Sequence, residues 1–107
     1  MYRDLKWSPS EKKIAHSAFD AARESVLSGI LSEFKAKAAA AESTDDMWSI
    51  ADDLRRRRGE IDQLLDYRYS VLPVVFARLI REGHVKEGQL AGLGEEKLEM
   101  IRRILSL

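Results

Sequence analysis

Apolar side chains recur at three- and four-residue intervals along most of this chain, which is the spacing of one face of an α-helix. Early in the sequence this face consists of Ala15, Phe19, Ala22, Val26, Ile30 and Phe34, and it is widened by Ile14, Ala18 and Leu27. The segment Ser8–Glu11 combines a capping serine, a proline suited to the first helical position and the glutamate of a capping box. The pattern predicts a first helix from Pro9 to about Ala41. Residues 1–7 form a short arm before it, in which Trp7 either docks on a helix or is exposed.

A second apolar stripe follows the segment Glu42–Asp46, whose hydroxyl and acidic side chains favour a turn and a helix N-terminus. The stripe comprises Met47, Ile50, Leu54, Ile61, Leu64 and Leu65. It predicts a second helix from about Asp46 to about Tyr67. Arg57 and Arg58 interrupt the stripe where the repeat requires apolar residues. On the edge of the stripe, Arg58 should be half-buried and should need a carboxylate partner.

The C-terminal part of the chain predicts shorter helical elements. A joint at Tyr67–Ser70 leads into a helix from about Ser70 to Glu82, which is apolar nearly all round and should be the most buried. Pro73 fits this helix only in its first turn, because proline cannot donate the internal hydrogen bond. Val85–Leu90 predicts one short helical turn, and Glu95–Leu105 predicts a last amphipathic helix.

The sequence lacks the alternation typical of strands, so the predicted fold class is all-α. Its length of 107 residues favours a single domain spanning residues 1–107. Within that domain, residues 8–67 should form a long helical hairpin that serves in dimerisation. Residues 68–107 should form a small helical head.

The length of the first helix predicts the oligomeric state. A helix from Pro9 to Ala41 is about 50 Å long, whereas a compact domain of this size is only about 35 Å across. The apolar face continues to the end of the helix, so something has to cover it. A second copy related by a two-fold axis is the simplest cover, and a homodimer is therefore expected.

Composition narrows the possible partners and locations. The chain carries 18 basic and 18 acidic residues, so nucleic acid, which needs a basic face, is not an expected partner. The arginine run 55–58 is interpreted as a solvated helix face, with Asp52–Arg56 and Asp53–Arg57 pairs at the favoured spacing. The N-terminal sequence lacks the apolar core of a secretory signal, and no apolar run is long enough to span a membrane. A cytoplasmic protein without membrane insertion is expected.

The sequence contains no residue constellation typical of catalysis or metal binding. It has no cysteine, and His16 and His84 have no metal-like spacing with each other or with acids. It also lacks a nucleophile elbow and a glycine-rich phosphate loop. Neither an enzyme nor a metal site is predicted.

Trp48 and Asp52 are four residues apart and share one face of the predicted second helix. Two interpretations of Trp48 stay open. It either covers the rim of the dimer seam or anchors a protein partner, since tryptophan, tyrosine and arginine are the usual hot spots of interfaces.

The segment Asp45–Leu93 resembles the fluorescence recovery protein family. The resemblance is carried by the motif DDMW, by the spacing of Asp52, Arg58, Glu60, Ile61 and Asp62, and by the motifs DYRYSVL, FARL, EG and LAGL that follow. A weaker likeness extends over the whole chain, including the Trp-Ser pair at Trp7 and the closing helix. It implies an all-helical dimer with a small head.

The same resemblance implies a function. Members of the family act in photoprotection: they bind the light-activated orange carotenoid protein, mainly at its C-terminal domain. They speed its return from the red to the orange state and help to detach it from the phycobilisome. They carry no cofactor and catalyse no covalent chemistry. The orange carotenoid protein, or a related carotenoid-binding protein, is thus the expected partner.

The family's partner-binding patch falls on Trp48, Asp52 and Arg58 of this chain. The family often has a histidine directly before the aspartate and an apolar residue directly after it, where this chain has Ala51 and Asp53. Both departures lie inside the patch, so they bear on the identity of the partner more than on the fold. A homologous helical dimer that regulates a different protein is the alternative expectation.

Overall fold

The structure, a computed structural model, describes residues 5–107, so the start of the predicted N-terminal arm lies outside the described residues. Within that range the elements are α1 (Pro9–Ala40), α2 (Thr44–Leu64), α3 (Leu72–Arg81), a short 3-10 helix (Glu87–Leu90) and α4 (Glu95–Leu105). The all-α prediction is confirmed. We call α1 and α2 the hairpin, and α3, the 3-10 helix and α4 the head.

Both long helices begin at capping boxes. The Ser8 hydroxyl accepts a hydrogen bond from the Glu11 backbone N–H, and the Glu11 carboxylate accepts one from the Ser8 N–H. Ser43 and Asp46 repeat this arrangement at the start of α2. As a result α2 begins at Thr44, slightly before the predicted Asp46. The residues expected to form a turn therefore also supply the first helical turn.

The segment after α2 turns its aromatic rings into the protein. α2 ends at Leu64, short of the predicted Tyr67. The ring of Tyr67 lies 4.7 Å from that of Phe19 on α1 and 5.6 Å from that of Tyr69. The ring of Trp7 lies 5.4 Å from that of Tyr69, so the tryptophan docks. Burial raises the pKa of Tyr67 to about 12.

The core lies between the first half of α1 and the head. Its buried members are Ala15, Ala18, Phe19, Ala22, Val26, Leu64, Leu72, Val75, Phe76, Ala77, Leu79, Val85, Leu90, Leu93 and Ile101. The apolar face predicted for the first helix is thus confirmed in its N-terminal half. α3 is largely buried, as expected, with Pro73 in its first turn. Val74 is the exception, because its side chain points outward and is 41% exposed.

Gly92 lets the head approach α1 closely. Its φ of 103° lies in the left-handed region that favours glycine. A Cβ atom at this position would lie only 2.7 Å from Cδ1 of Ile14. Glycine therefore satisfies both the local backbone conformation and the contact with α1.

The second half of α1 extends away from the head. The molecule measures 53 × 25 × 23 Å. Its radius of gyration of 16.8 Å exceeds the roughly 13 Å of a compact domain of this length. Leu27, Leu31 and Phe34 stay exposed along this part of α1. The predicted overhang is present, and its apolar stripe is uncovered within the chain.

A buried ion pair fastens the head to the start of α1. Oε2 of Glu11 lies 3.0 Å from Nζ of Lys97 and accepts a hydrogen bond of 2.7 Å from the Gly94 N–H. Nζ of Lys97 also donates to the Lys6 carbonyl at 2.6 Å and lies 4.9 Å from the centre of the Trp7 ring. Because Lys97 is only 4% exposed, this pair compensates two charges inside the protein.

We expect Glu11→Gln to destabilise the fold in neutral solution and to lose that effect in strong acid. The Ser8 N–H, with help from Gly94 and Lys97, lowers the pKa of Glu11 from 4.5 to about 2. A carboxyl group with a lowered pKa stabilises the folded state above its ordinary pKa. This stabilisation is lost as the pH falls from 4.5 towards about 2. The shift corresponds to roughly 3 kcal/mol, which is the expected loss of unfolding free energy for Glu11→Gln in neutral solution. Denaturant titration of the wild type and the variant measures this difference.

Glu95→Gln is the matched control, because Glu95 is an exposed residue of α4 that pairs with Arg102 at the surface. Its unfolding free energy should stay within about 1 kcal/mol of the wild-type value in both neutral and strongly acidic solution. If the deficit of Glu11→Gln were equally large in neutral and strongly acidic solution, the charge of Glu11 would not be its cause.

Candidate partner-binding surface

The three residues expected to bind a partner all lie on α2, the helix that leads back from the tip of the hairpin. Trp48 is 62% exposed, although tryptophan side chains are usually well covered. Asp52 follows one turn later on the same face, with its exposed carboxylate 3.3 Å from the guanidinium of Arg55. These two positions therefore present a flat aromatic surface beside a charged group.

Arg58 lies on a neighbouring face of α2. Six residues of helix leave it about 120° from Asp52 around the axis and about 9 Å along it. No ion pair joins the two side chains in the described part of the chain. The chain thus does not gather Trp48, Asp52 and Arg58 into one cluster. Pairing of Arg58 with Asp52 of a second copy stays a prediction.

Asp53 organises two other arginines of the run. Its carboxylate lies 3.0 Å from Nζ of Lys37 on α1 and also pairs with Arg56 and Arg57. Arg57 pairs in addition with Glu33 of α1. The hydrogen bond from Lys37, with help from Arg56, lowers the pKa of Asp53. This network ties α2 to α1 beside the end of α3, since Arg57 borders the same groove as Arg78 and Glu82.

The predicted pairing within α2 is partly right. The Asp53–Arg57 pair forms, with 3.7 Å between the charged atoms. Asp52 pairs with Arg55 rather than with Arg56, because Arg56 turns towards Asp53. The interpretation of the run as a helix face with intrahelical pairs holds for three of its arginines.

Arg58 borders an open cleft between α1 and α2. The cleft has a volume of about 500 Å³ and is lined by Phe19, Arg23, Leu27, Ile30, Leu54, Arg57, Arg58, Ile61, Asp62 and Leu65. The side chain of Arg58 is exposed, and no carboxylate of residues 5–107 pairs with it. The expectation of a half-buried arginine is therefore wrong for the single chain. The repeat locates residue 58 on the stripe edge, but none of the described elements packs over that edge.

A second groove, of about 320 Å³, lies near Trp48 at the tip of the hairpin. It is lined by Phe34, Ala38, Ala41, Met47, Ile50, Ala51 and Leu54. Ala51 forms part of this apolar wall, whereas Asp53 is engaged with Lys37. The two departures from the family pattern therefore alter the groove and the hairpin network, and they leave the faces of Trp48 and Asp52 exposed.

The two histidines make unrelated contacts. Nε2 of His16 lies 3.1 Å from the carboxylate of Asp20, and Nδ1 of His84 lies 3.0 Å from the hydroxyl of Ser25. Across residues 5–107, no three histidine or acidic side chains gather in a way that could hold a metal ion. The described helices also include none with the length and apolarity needed to cross a bilayer.

Sequence reasoning did not single out Arg23, although it lines the same cleft as Arg58. The spacing of Arg23 from its apolar neighbours could have indicated its position. Arg23 is four residues from both Phe19 and Leu27, so it lies on the apolar face of the first helix. In the single chain the side chain of Arg23 is exposed, as that of Arg58 is.

Comparison with known proteins places the chain in a family. A family model for the photoprotection regulator fluorescence recovery protein matches residues 7–105. The fluorescence recovery protein of Synechocystis sp. PCC 6803 is 37% identical over 104 residues, which make up 97% of this chain and 95% of that protein. The match includes both the hairpin and the head.

Solved structures agree with the sequence comparison. The fluorescence recovery protein of Fremyella diplosiphon is 33% identical and superposes with a TM-score of 0.89, covering 95% of this chain and 100% of that one. The Synechocystis structure superposes with the same TM-score and coverage at 36% identity. The chain described here belongs to the fluorescence recovery protein family of photoprotection regulators.

Proposed function

We propose that this chain accelerates the red-to-orange reversion of the orange carotenoid protein and its release from the phycobilisome, which ends photoprotective quenching. Membership of a family of photoprotection regulators supports the proposal. The observation that carries it is the uncovered indole of Trp48, with Asp52 exposed on the same face. The protein acts in the cytoplasm by binding the C-terminal domain of its partner, without a cofactor or a covalent step.

The chemistry of the three patch residues suits this task. Trp48 supplies a large rigid contact that loses little conformational entropy on binding. Arg58 presents a forked set of donors that matches a carboxylate. Asp52, already near Arg55, orients a cation of the partner or the Arg58 of a second copy. Residues held on one long helix keep these groups at fixed separations.

We further propose that the chain acts as a homodimer built on the open half of α1. Leu27, Leu31 and Phe34 form one stripe, and exposed Met47 of α2 extends it across the tip of the hairpin. A second copy covers this surface most simply, since the same patch occurs on both subunits. Val26 is buried inside the chain itself, so it does not belong to the seam.

The alternative is a helical dimer that regulates a different protein partner. The observation that favours it concerns the two residues on either side of Asp52. Ala51 stands where the family often has histidine and lines the tip groove, and Asp53 stands in place of an apolar residue and pairs with Lys37. Both changes adjoin Asp52, so they alter the surroundings of the patch.

Leu31→Lys should convert the dimer to a monomer at micromolar concentration. Leu31 is 51% exposed in the single chain, so the lysine is tolerated in the fold, but it places an unpaired charge in an apolar seam. Light scattering should give twice the 12.2 kDa of one chain for the wild type and a single-chain mass for the variant.

Ser32→Lys is the matched control, because Ser32 is exposed on α1 and lies about 100° away from Leu31 around the helix axis. It should keep the wild-type mass. A wild-type protein with the mass of one chain would refute the dimer.

Trp48→Ala and Arg58→Ala should each weaken binding to the photoactivated orange carotenoid protein by about 30-fold, which corresponds to roughly 2 kcal/mol for a hot spot. Their acceleration of dark reversion should fall in parallel, measured at subsaturating concentration by the recovery of the orange absorption spectrum. Both variants should keep the dimer mass, because Trp48 and Arg58 lie outside the stripe of Leu27, Leu31 and Phe34 on which the dimer is built. One ion pair at the rim of the seam, such as Arg58 with Asp52 of the second copy, contributes at most about 1 kcal/mol.

Arg102→Ala serves as the control, since it removes an exposed arginine of the head that, among residues 5–107, pairs with Glu95 alone. It should reverse the red state as fast as the wild type. Unchanged acceleration by the Trp48 and Arg58 variants would remove these residues from the partner-binding patch. A wild-type dimer that neither binds nor accelerates would favour the alternative partner.

A further inference from the structure

Gly59 is an exposed glycine in the interior of α2. Its backbone is helical, so its conformation does not require glycine. A Cβ atom at this position would meet no atom of the described residues outside its own helix turn within 4 Å, so packing does not require glycine either. Glycine is less favourable than alanine inside a helix, because it loses more backbone entropy on folding. Neither the backbone nor the packing of the single chain therefore accounts for this residue.

Gly59 lies on the side of α2 that faces away from α1. Ile61 borders the grooves on both sides of the hairpin, so it points towards α1, and it is about 160° from Gly59 around the helix axis. Trp48 and Asp52 each lie within about 20° of Gly59 around that axis, at roughly 16 Å and 10 Å along it. We call Trp48, Asp52, Arg55 and Gly59 the outer face of α2.

The glycine is separate from the surface assigned to the dimer. That surface consists of Leu27, Leu31 and Phe34 on α1, with Met47 at the tip of the hairpin. Met47 and Gly59 are about 120° apart around α2 and about 18 Å apart along it. A second copy that covers the stripe therefore does not have to cover Gly59.

We infer that an α-helix of the protein partner lies lengthwise along the outer face and comes closest to α2 at Gly59. The inference rests on the function proposed above and extends its binding surface about two turns beyond Asp52. The positions 48, 52, 55 and 59 alternate in four- and three-residue steps, which form one line along a helix. Such a line suits a second helix packed at a small angle. The spacing of two packed helices depends on the side chains between them, and glycine permits the closest approach.

The outer face is complementary to a partner surface with little net charge. Asp52 and Arg55 lie 3.3 Å apart and balance each other's charge. Trp48 supplies an apolar contact at one end of the face, and Gly59 exposes the helix backbone at the other. Contacts between Cα–H groups and carbonyl oxygens recur where two helices come this close. Added salt should therefore change the contact at Gly59 little.

Gly59→Ala should make the protein more stable and a weaker binder at the same time. The unfolding temperature should rise by roughly 4 °C at a fixed protein concentration, because alanine favours the helix. Binding to the photoactivated orange carotenoid protein should weaken about fivefold, because the added methyl group overpacks a close contact. Gly59→Leu should weaken binding about 30-fold. Its acceleration of reversion at subsaturating concentration should fall in parallel.

Gly29→Ala and Gly29→Leu are the matched controls. Gly29 is an exposed glycine inside α1, and a Cβ atom there would likewise have no neighbour within 4 Å among the described residues. It borders the groove beside the head and lies about 160° from Leu31 around the axis of α1. It therefore belongs to neither the dimer stripe nor the outer face. Gly29→Ala should raise the unfolding temperature as Gly59→Ala does, and both controls should bind and accelerate as the wild type does.

A chemical variant separates binding from folding. The chain has no cysteine, so Gly59→Cys can be alkylated at one position after the protein has folded. The alkylated protein should bind the probe more weakly than the same sample before alkylation, with an unchanged dimer mass.

Binding by Gly59→Leu equal to that by Gly29→Leu, with an active wild type, would overturn the inference alone. A loss of binding that came only from dissociation into single chains would also overturn it, because Gly59 would then belong to the dimer seam. A wild type that neither binds nor accelerates overturns the proposed function and this inference together.

Discussion

The length of α1 is the constraint on which the rest of the structure depends. A helix of 32 residues is longer than the head can cover, and α2 packs along only one side of it, so its apolar face is divided. Phe19 and Val26 lie under the head, whereas Leu31 is left open. The two parts have different requirements. The covered part holds a small head, and the open part is the surface on which the proposed dimer is built.

The head is held at one end of α1 by contacts between distant parts of the sequence. Glu11 serves twice, since one oxygen completes the helix cap while the other accepts from Gly94 and pairs with Lys97. Ile14 then packs against Gly92. A buried ion pair is a weak source of net stability, because desolvation offsets most of the attraction. It is selective, however, since a placement of the head that buried Lys97 away from Glu11 would leave its charge unpaired.

Local patterns predicted the positions of the helices well. They predicted less well which helical residues are covered by other elements. The caps at Ser8 and Ser43 are encoded within a few residues, so the starts of α1 and α2 followed from the sequence to within a turn. Lys97 was not recognised as buried, because its partner at Glu11 is far away in the chain and leaves no mark on the repeat. Arg58 was expected to be half-buried for a related reason. Periodicity assigns a residue to a face, but it does not show whether any element covers that face.

The division of the arginine run links the fold to the proposed activity. Asp53 pairs with Arg56 and Arg57 within α2. The contacts of Asp53 with Lys37 and of Arg57 with Glu33 join this cluster to α1. Arg58 is thereby left on a rigid helix with its donors available. A protein that speeds a conformational change without covalent chemistry has to bind the transition state more tightly than the starting state. Groups on a stiff hairpin suit that task, because they do not adjust equally well to every shape of the partner. Under the proposed function, differential affinity would arise from how well each shape of the partner matches fixed positions such as Trp48 and Arg58.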